Sequence, residues 1–366
     1  MMACFALAAC SRWFGFQMDY LMFAFTAIAC FAAVVANDLA WLSIDPNVLG
    51  LALIQLIQLS GLFQYGVRQS AEVVNQMVAV DRVLDYRNLP SEAALTTPYD
   101  DEVSKEWPQN GTIAVRGLNV RYSPGLPLSL RSLTFEIPGG SRVGVVGRTG
   151  CGKSTLIQSL IRLLEAEDGQ IVIDSVDISK LGLSKLRRSI GVMPQCPVLY
   201  GGISLRDNLD PFHDHSDGEI HRALLYVSML DAVESLPCGL NSIMTEGGSG
   251  FSAGQKQLLC LVRAILRKNK ILVLDEPTAN VDNQTDKLLQ EAVAENFECA
   301  TILAIAHRLD TVIYYDKILV LGSGGVLEYG SPDELIASGG AFSKMLDETA
   351  GMATSMLKAN TTTQPN

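Results

Sequence analysis

Positive charge is scarce in this chain. Its 366 residues hold 28 Lys and Arg against 39 Asp and Glu, a formal net charge of −11. Without a basic stripe it lacks the electrostatic footprint that grips a phosphate backbone, which sets nucleic-acid binding aside. Paired cysteines are missing too. The eight cysteines (4, 10, 30, 151, 196, 238, 260 and 299) form no CxxC and no Cys/His cluster at metal-ligand spacing. Reduced thiols are therefore expected, with neither a disulfide framework nor a structural zinc site. No Lys or Arg precedes the first apolar stretch, MMACFALAAC, and Arg12 follows it. That order argues against a cleaved leader, although Leu7-Ala8-Ala9-Cys10 has the look of a lipoprotein site.

Charge of either sign is thin at the amino-terminal end. Residues 1–90 carry four basic side chains (Arg12, Arg68, Arg82, Arg87) and six acidic ones, while the other 276 residues hold 57 charges. The density doubles from the first part to the second, as from a membrane segment to a soluble globule. Two apolar runs, Tyr20–Ala36 (extended back to Phe14) and Val48–Phe63, predict spans at about 14–36 and 48–66. A pair of buried core helices is the alternative. Between them, residues 37–47 contain Asp38 and Asp45 but no cation, whereas Arg12 and Arg68 lie outside. The positive-inside rule then puts both ends in the cytosol. Apolar residues at 73, 74, 77, 78, 80, 83 and 84 continue the second helix to Tyr86. A polar stretch at 88–111 with Pro90, Pro98 and Pro108 reads as a linker, 112–349 as a soluble domain, and the Thr/Asn-rich end from 350 to 366 as a disordered tail.

Chemistry enters at Val143–Ile157. A β-branched run leads into Gly147-x4-Gly152-Lys153-Ser154 and then a helical pattern. Strand, glycine loop and helix form a P-loop, whose backbone N–H groups turn onto phosphate beside the positive end of a helix. Lys153 is placed to reach the β- and γ-phosphates and Ser154 to ligate Mg²⁺. Downstream, Lys270-Ile-Leu-Val-Leu-Asp-Glu-Pro277 is an apolar strand ending in two carboxylates. Asp275 suits a Mg²⁺ shell and Glu276 suits a base that polarises water for attack on the γ-phosphate. Between the two, Phe251-Ser-Ala-Gly-Gln255 opens a further helix and offers a second anion site, for ATP on a partner domain.

With these motifs in this order, residues 112–349 resemble the nucleotide-binding domain of ABC transporters. By that resemblance Tyr122 is the aromatic that stacks on adenine. Gly147, Arg148, Thr149, Gly150, Cys151, Gly152, Lys153, Ser154 and Thr155 are its Walker A loop. Gln195 matches the Q-loop, Leu272–Glu276 Walker B, Asp282 the D-loop and His307 the switch histidine. Ser252, Ala253, Gly254 and Gln255 match the signature that acts in trans. The resemblance narrows to the multidrug-resistance-associated (C-type) subfamily on Ser11-Arg-Trp13, Phe63–Glu72, Trp107-Pro108, Gly201–Phe212 and Ala279–Asp282.

It implies an α/β P-loop NTPase domain, with a mixed sheet core and a helical subdomain, preceded by two transmembrane helices. These would be the last two spans and second nucleotide-binding domain of a longer protein. The implied activity is ATP hydrolysis coupled to efflux of organic anions, conjugates or xenobiotics. Glu276, His307 and Gln195 would be catalytic, with Mg²⁺ on Ser154, Gln195 and Asp275. The implied partners are a second nucleotide-binding domain, further membrane helices and the lipid bilayer of the plasma or an internal membrane. A nucleotide-gated channel or channel regulator of the same subfamily is the alternative. Four residues depart from the common pattern: Phe251 and Ala253 in the signature, Cys196 after the Q-loop glutamine, and Cys151 inside the P-loop, where alkylation is expected to block ATP.

Overall fold

Nothing between residues 2 and 38 stops a helix: there is no proline and one glycine, Gly15. The computed structural model describes residues 2–38, 45–248, 250–277, 282–306 and 312–348. In it this stretch is one 37-residue helix, α1 (Met2–Asp38). It begins well before the span expected at 14, because the alanine- and leucine-bearing residues ahead of Ser11 carry no breaker. The second helix, α2 (Pro46–Arg87), has 42 residues, about 63 Å at 1.5 Å per residue. Proline at its first position and an Asp45 carboxylate accepting from Asn47 N at 3.0 Å start it. It continues past the apolar run to Arg87, as the heptad-like stripe predicts. Both helices are long and apolar enough to cross a membrane. Phe23, Ile28, Phe31, Leu51, Ile57 and Leu62 all stand exposed on them.

Residues 1–92 and 93–366 form separate units. The second unit contains strands β1 (Ile113–Val120), β2 (Leu130–Ile137), β3 (Arg142–Val146), β4 (Asp168–Ile173), β5 (Val176–Asp177), β6 (Ile190–Met193), β7 (Ile271–Asp275), β8 (Thr301–Ile305), β9 (Lys317–Gly322) and β10 (Gly325–Gly330). Among them run helices α3 (Tyr99–Glu102), α4 (Lys153–Leu160), α5 (Leu183–Ser189), α6 (Leu205–Leu209), α7 (Asp217–Tyr226), α8 (Leu230–Glu234), α9 (Ala253–Arg267), α10 (Asn283–Asn296) and α11 (Pro332–Ala337). One sheet is antiparallel in the order β2-β1-β4-β5; the other runs β10-β9-β3-β8-β7-β6. In the second sheet β9, β3, β8, β7 and β6 are parallel neighbours and only β10 is antiparallel.

A parallel strand buried on both faces reads as an unbroken apolar run, and alternate residues serve opposite layers. Ile271, Val273, Leu303 and Ile305 pack with Val143, Val145, Leu156 and the antiparallel sheet's Ile113, Leu118 and Leu133. Leu272, Leu274, Ile302 and Ala304 join Leu224 of α7 and Leu259 and Val262 of α9. The parallel sheet is thus the middle layer, with the P-loop helix and antiparallel sheet on one side and a helical layer on the other.

The stretch expected as a linker, 88–111, is divided. From residue 93 the chain is fastened to the domain. Trp107 is buried and donates from Nε1 to Ile173 O at 3.1 Å. Asp100 accepts from Gly182 N and Thr97 N, each at 2.8 Å. Burial opposes ionisation of Asp100, but these donors outweigh it and hold the carboxyl below its ordinary value. Asp174 gathers the backbone N–H groups of Asn110, Gly111 and Thr112 at 2.8–3.0 Å. Prolines and charges suggested a spacer in the sequence; the anchors lie across the fold, out of reach of local patterning.

Candidate functional site

The loop Gly147–Gly152 leaves the sheet at the carboxyl end of β3 and turns into α4. Two of its glycines are sterically required. Gly152 has φ +104°, and a Cβ there would stand 2.6 Å from Leu130 Cδ2. Gly147 has φ +153°, and a Cβ would meet Leu321 O at 2.4 Å and Cys151 Sγ at 2.6 Å. Arg148, Thr149 and Gly150 form an exposed rim. Arg148 reaches Glu348 at 3.6 Å, both side chains being largely exposed, a pairing worth little in water.

Lys153 is 6% exposed, and its Nζ donates to Gly147 O at 2.7 Å and Arg148 O at 3.4 Å. The ammonium is therefore held inside the ring of the loop, stripped of most of its water. The hydroxyl-bearing Ser154 beside it is exposed. At the start of α4 the unpaired N–H groups and the positive dipole end face the same space. Cradle, cation and open amides fit a polyphosphate. Tyr122, just beyond β1, comes to this loop: its hydroxyl lies 3.0 Å from Thr155 Oγ1 and the side chain stays half exposed. Cys151, where alkylation is expected to block ATP, has a covered thiol. Its sulfur packs beneath Gly147 and the residue is 5% exposed, so the loop's own backbone shields it from alkylating reagents.

Two neighbouring strands supply the next pair. Met193 of β6 is in register with Leu274 of β7, so both chains leave the sheet side by side. Gln195 and Glu276, two residues further on, meet there: Gln195 Nε2 donates to Glu276 Oε2 at 3.0 Å. Glu276 sits at φ +48°, a conformation that costs a side-chain-bearing residue of order 1–2 kcal/mol. Asp275 at the strand's last position is half-buried.

Ser252 and Gln255 make a reciprocal cap on α9. Ser252 Oγ accepts from Gln255 N at 3.1 Å, and Gln255 Oε1 accepts from Ser252 N at 2.9 Å. Ala253 is exposed and Gly254 buried. Among the described residues no hydrogen bond joins Ser252–Gln255 to the P-loop. A cavity of about 270 Å³ instead brings Ala253 and Lys256 of α9 together with Gln195, Cys196, Pro197 and Pro277. Asp282 caps α10, accepting from Thr285 N at 3.0 Å and from the Thr285 hydroxyl at 2.8 Å. Those two bonds hold its carboxyl below the ordinary range. His307, residues 278–281 and the tail from 349 lie outside the described residues.

Two residues on α9 escape a reading by motif. Gln257 is 1% exposed, donates from Nε2 to Pro194 O at 3.1 Å and lines the same cavity. Its Oε1 is buried without a hydrogen-bond partner. Arg263 donates to Asn208 O at 2.7 Å and Val198 O at 2.8 Å. Together they tie the stretch from Pro194 to Asn208, which contains Gln195, to the helix that Ser252 starts. The available signal was periodicity: Gln257 is in phase with the buried Cys260, Leu261 and Ala264. Replacing Gln257 by leucine keeps the volume and removes both the orphan oxygen and the tie to Pro194. We expect amide exchange at Gln195 to quicken about fivefold, the equivalent of one ordinary hydrogen bond. Unchanged exchange at Gln195 would show the stretch to be held without Gln257.

The P-loop at β3 and the Gln195–Glu276 pair at β6 and β7 thus all lie along the carboxyl ends of parallel strands, where open α/β sheets bind their ligands. The family model "ABC transporter" matches residues 130–279. This chain carries an ABC transporter domain. The matched range includes Lys153, Gln195, Ser252 and Glu276, and leaves Tyr122, Asp282 and His307 outside it. The domain implies ATP as the ligand of the P-loop.

Human ATP-binding cassette sub-family C member 4 is 45% identical over 334 residues, which are 91% of this chain and 25% of that protein. Rat ATP-binding cassette sub-family C member 2 is 45% identical over 306 residues, 84% of this chain and 20% of the relative. The chain spans a quarter or less of the length of these relatives. A bacterial Atm1-family ABC exporter solved with ATP bound superposes with a TM-score of 0.64 at 27% identity, over 82% of this chain and 52% of the other.

Proposed function

We propose that this chain is the ATP-hydrolysing end of a C-type exporter, contributing two membrane spans and the second nucleotide-binding domain, residues 112–349, to a larger assembly. The observation that carries this reading is the Gln195–Glu276 contact of 3.0 Å at the strand ends beside the P-loop. It couples a carboxylate able to take a proton to an amide able to aim it. Tyr122 stacks on adenine, the amides of Gly147–Thr155 hold the phosphates and Lys153 neutralises them. Ser154, Asp275 and Gln195 would hold Mg²⁺, which would supply charge neutralisation at the phosphates. Glu276 accepts the proton of the attacking water, and His307 supports the γ-phosphate. Ser252–Gln255 and Asp282 face a partner domain's nucleotide, and Ala253 in that signature weakens the partner's site. The cargo is an organic anion, conjugate or xenobiotic. The relatives' names, which speak of ATP-binding cassette proteins, favour this over the channel reading only together with the intact Glu276.

The test is ATP hydrolysis by the chain over a concentration series, alone and with a separately supplied nucleotide-binding domain bearing its own signature. The C-type reading expects ATP binding without turnover by the chain alone and turnover on adding the partner. Full activity in the dilute chain, or no ATP binding at all, would overturn it.

A further inference from the structure

A cavity of about 340 Å³ opens at the opposite end of the parallel sheet from the nucleotide loops, beside the amino ends of β7 and β8. One wall is a single face of α7, carrying Glu219, Arg222, Ala223 and Tyr226 at helical spacing. The other walls are the end of α9 with Lys268–Lys270, and the passage from α10 into β8 with Phe297, Cys299 and Ala300. The volume falls within the range of small-molecule sites.

Its floor and its rim differ in chemistry. Ala223, Ile265, Leu266, Phe297 and Ala300 are all buried and make an apolar floor. Arg222, Lys268 and Lys270 stand exposed at the mouth. Among the described residues none of these three cations belongs to an ion pair. The carboxylate that faces them, Glu219, is already engaged: its Oε2 accepts from Ser216 N and Ser216 Oγ, both at 2.9 Å. The carboxyl ends of α9 and α10 also point here, each equivalent to about half a negative charge. Three fixed cations against one carboxylate and two such helix ends leave about one surplus positive charge, in a chain whose net charge is −11. Asn269, whose Nδ2 is buried without an acceptor, lines the same cavity.

We propose that this cavity binds a small organic anion with an apolar body, its charged group between Arg222, Lys268 and Lys270 and its body on Phe297 and Leu266. Such a ligand bridges the helical layer to the sheet at a point about 15 Å or more from the nucleotide loops, the length of a five-residue strand. The site stands on its own geometry and is separate from the nucleotide and cargo assignments above.

Cys299 supplies a reporter, being exposed and at the cavity wall. The full chain in phospholipid nanodiscs is alkylated with N-ethylmaleimide, and modification is followed peptide by peptide while naphthalene-1-sulfonate is added. A ligand of this size has an ordinary Kd near about 1 mM. At four times its Kd it is expected to slow alkylation of Cys299 about fivefold, leaving Cys238, which is also exposed, unaffected. The Arg222→Gln/Lys270→Gln variant, altered at two exposed positions and checked for unchanged ATP binding, should need about tenfold more probe, the worth of two surface charge contacts. No protection at Cys299, equal slowing at Cys238, equal protection by uncharged naphthalene-1-methanol, or full protection in the variant would each overturn the proposal.

Discussion

Replacing Lys153 by methionine is expected to weaken ATP binding about 100-fold or more. The ammonium is 6% exposed and already held by Gly147 O and Arg148 O. An arriving phosphate therefore meets a charge that has lost its water, and a charge-assisted bond of that kind is worth about 1.5–3 kcal/mol. Lys153 serves more than one phosphoryl oxygen in the proposed site, so a loss of about 3 kcal/mol follows, and each 1.4 kcal/mol is tenfold in Kd. Methionine keeps the stem that fills the loop, so the fold of Gly147–Gly152 is spared and the change is read as binding. Equilibrium titration with a fluorescent ATP analogue checks it. A Kd within threefold of the parent would show that the loop amides alone hold the nucleotide.

Changing Glu276 to glutamine is expected to act on the other half of the chemistry. Turnover in the assembled system should fall by about 10² to 10⁴, the range a positioned base contributes, while the Kd for ATP stays within about threefold. Glutamine keeps the shape, and its amide still has an oxygen to accept from Gln195 Nε2 at 3.0 Å. It has no carboxylate to take a proton. The two substitutions therefore separate: one weakens binding about 100-fold or more, the other leaves ATP bound and unreacted. Single-turnover measurements on both variants distinguish them. Equal loss of binding in the two would remove Glu276 from the role of base.

What the sequence disclosed and what it withheld divide along a physical line. Gly147–Thr155 is legible because a P-loop is contiguous: the residues that make the turn also make the contacts. The two long helices are legible because an apolar run without breakers has few other outcomes, and the continuation to Arg87 followed from its stripe. Gln195 and Glu276 were each identifiable, yet their meeting needed the pairing of β6 with β7, across a separation of 81 positions in the chain. The same holds for the division of the strands into two sheets, since partner choice is made by the whole core. Gln257 and Arg263 were missed because a buried amide or half-buried guanidinium on an apolar helix declares itself only when its carbonyl partners come from elsewhere. The strap from residue 93 to Trp107 was masked by prolines, whose local stiffness reads alike whether the chain is free or clamped.

The backbone at residue 276 has one more consequence. At φ +48° the position is shaped for glycine, which would relieve roughly 1 kcal/mol of strain there. The domain carries that deficit at the point where its carboxylate stands. Selection for thermal robustness alone would favour glycine at 276 and with it the loss of the proposed base. The glutamate this chain carries there gives up that much stability to place a carboxylate where the proposed base must stand.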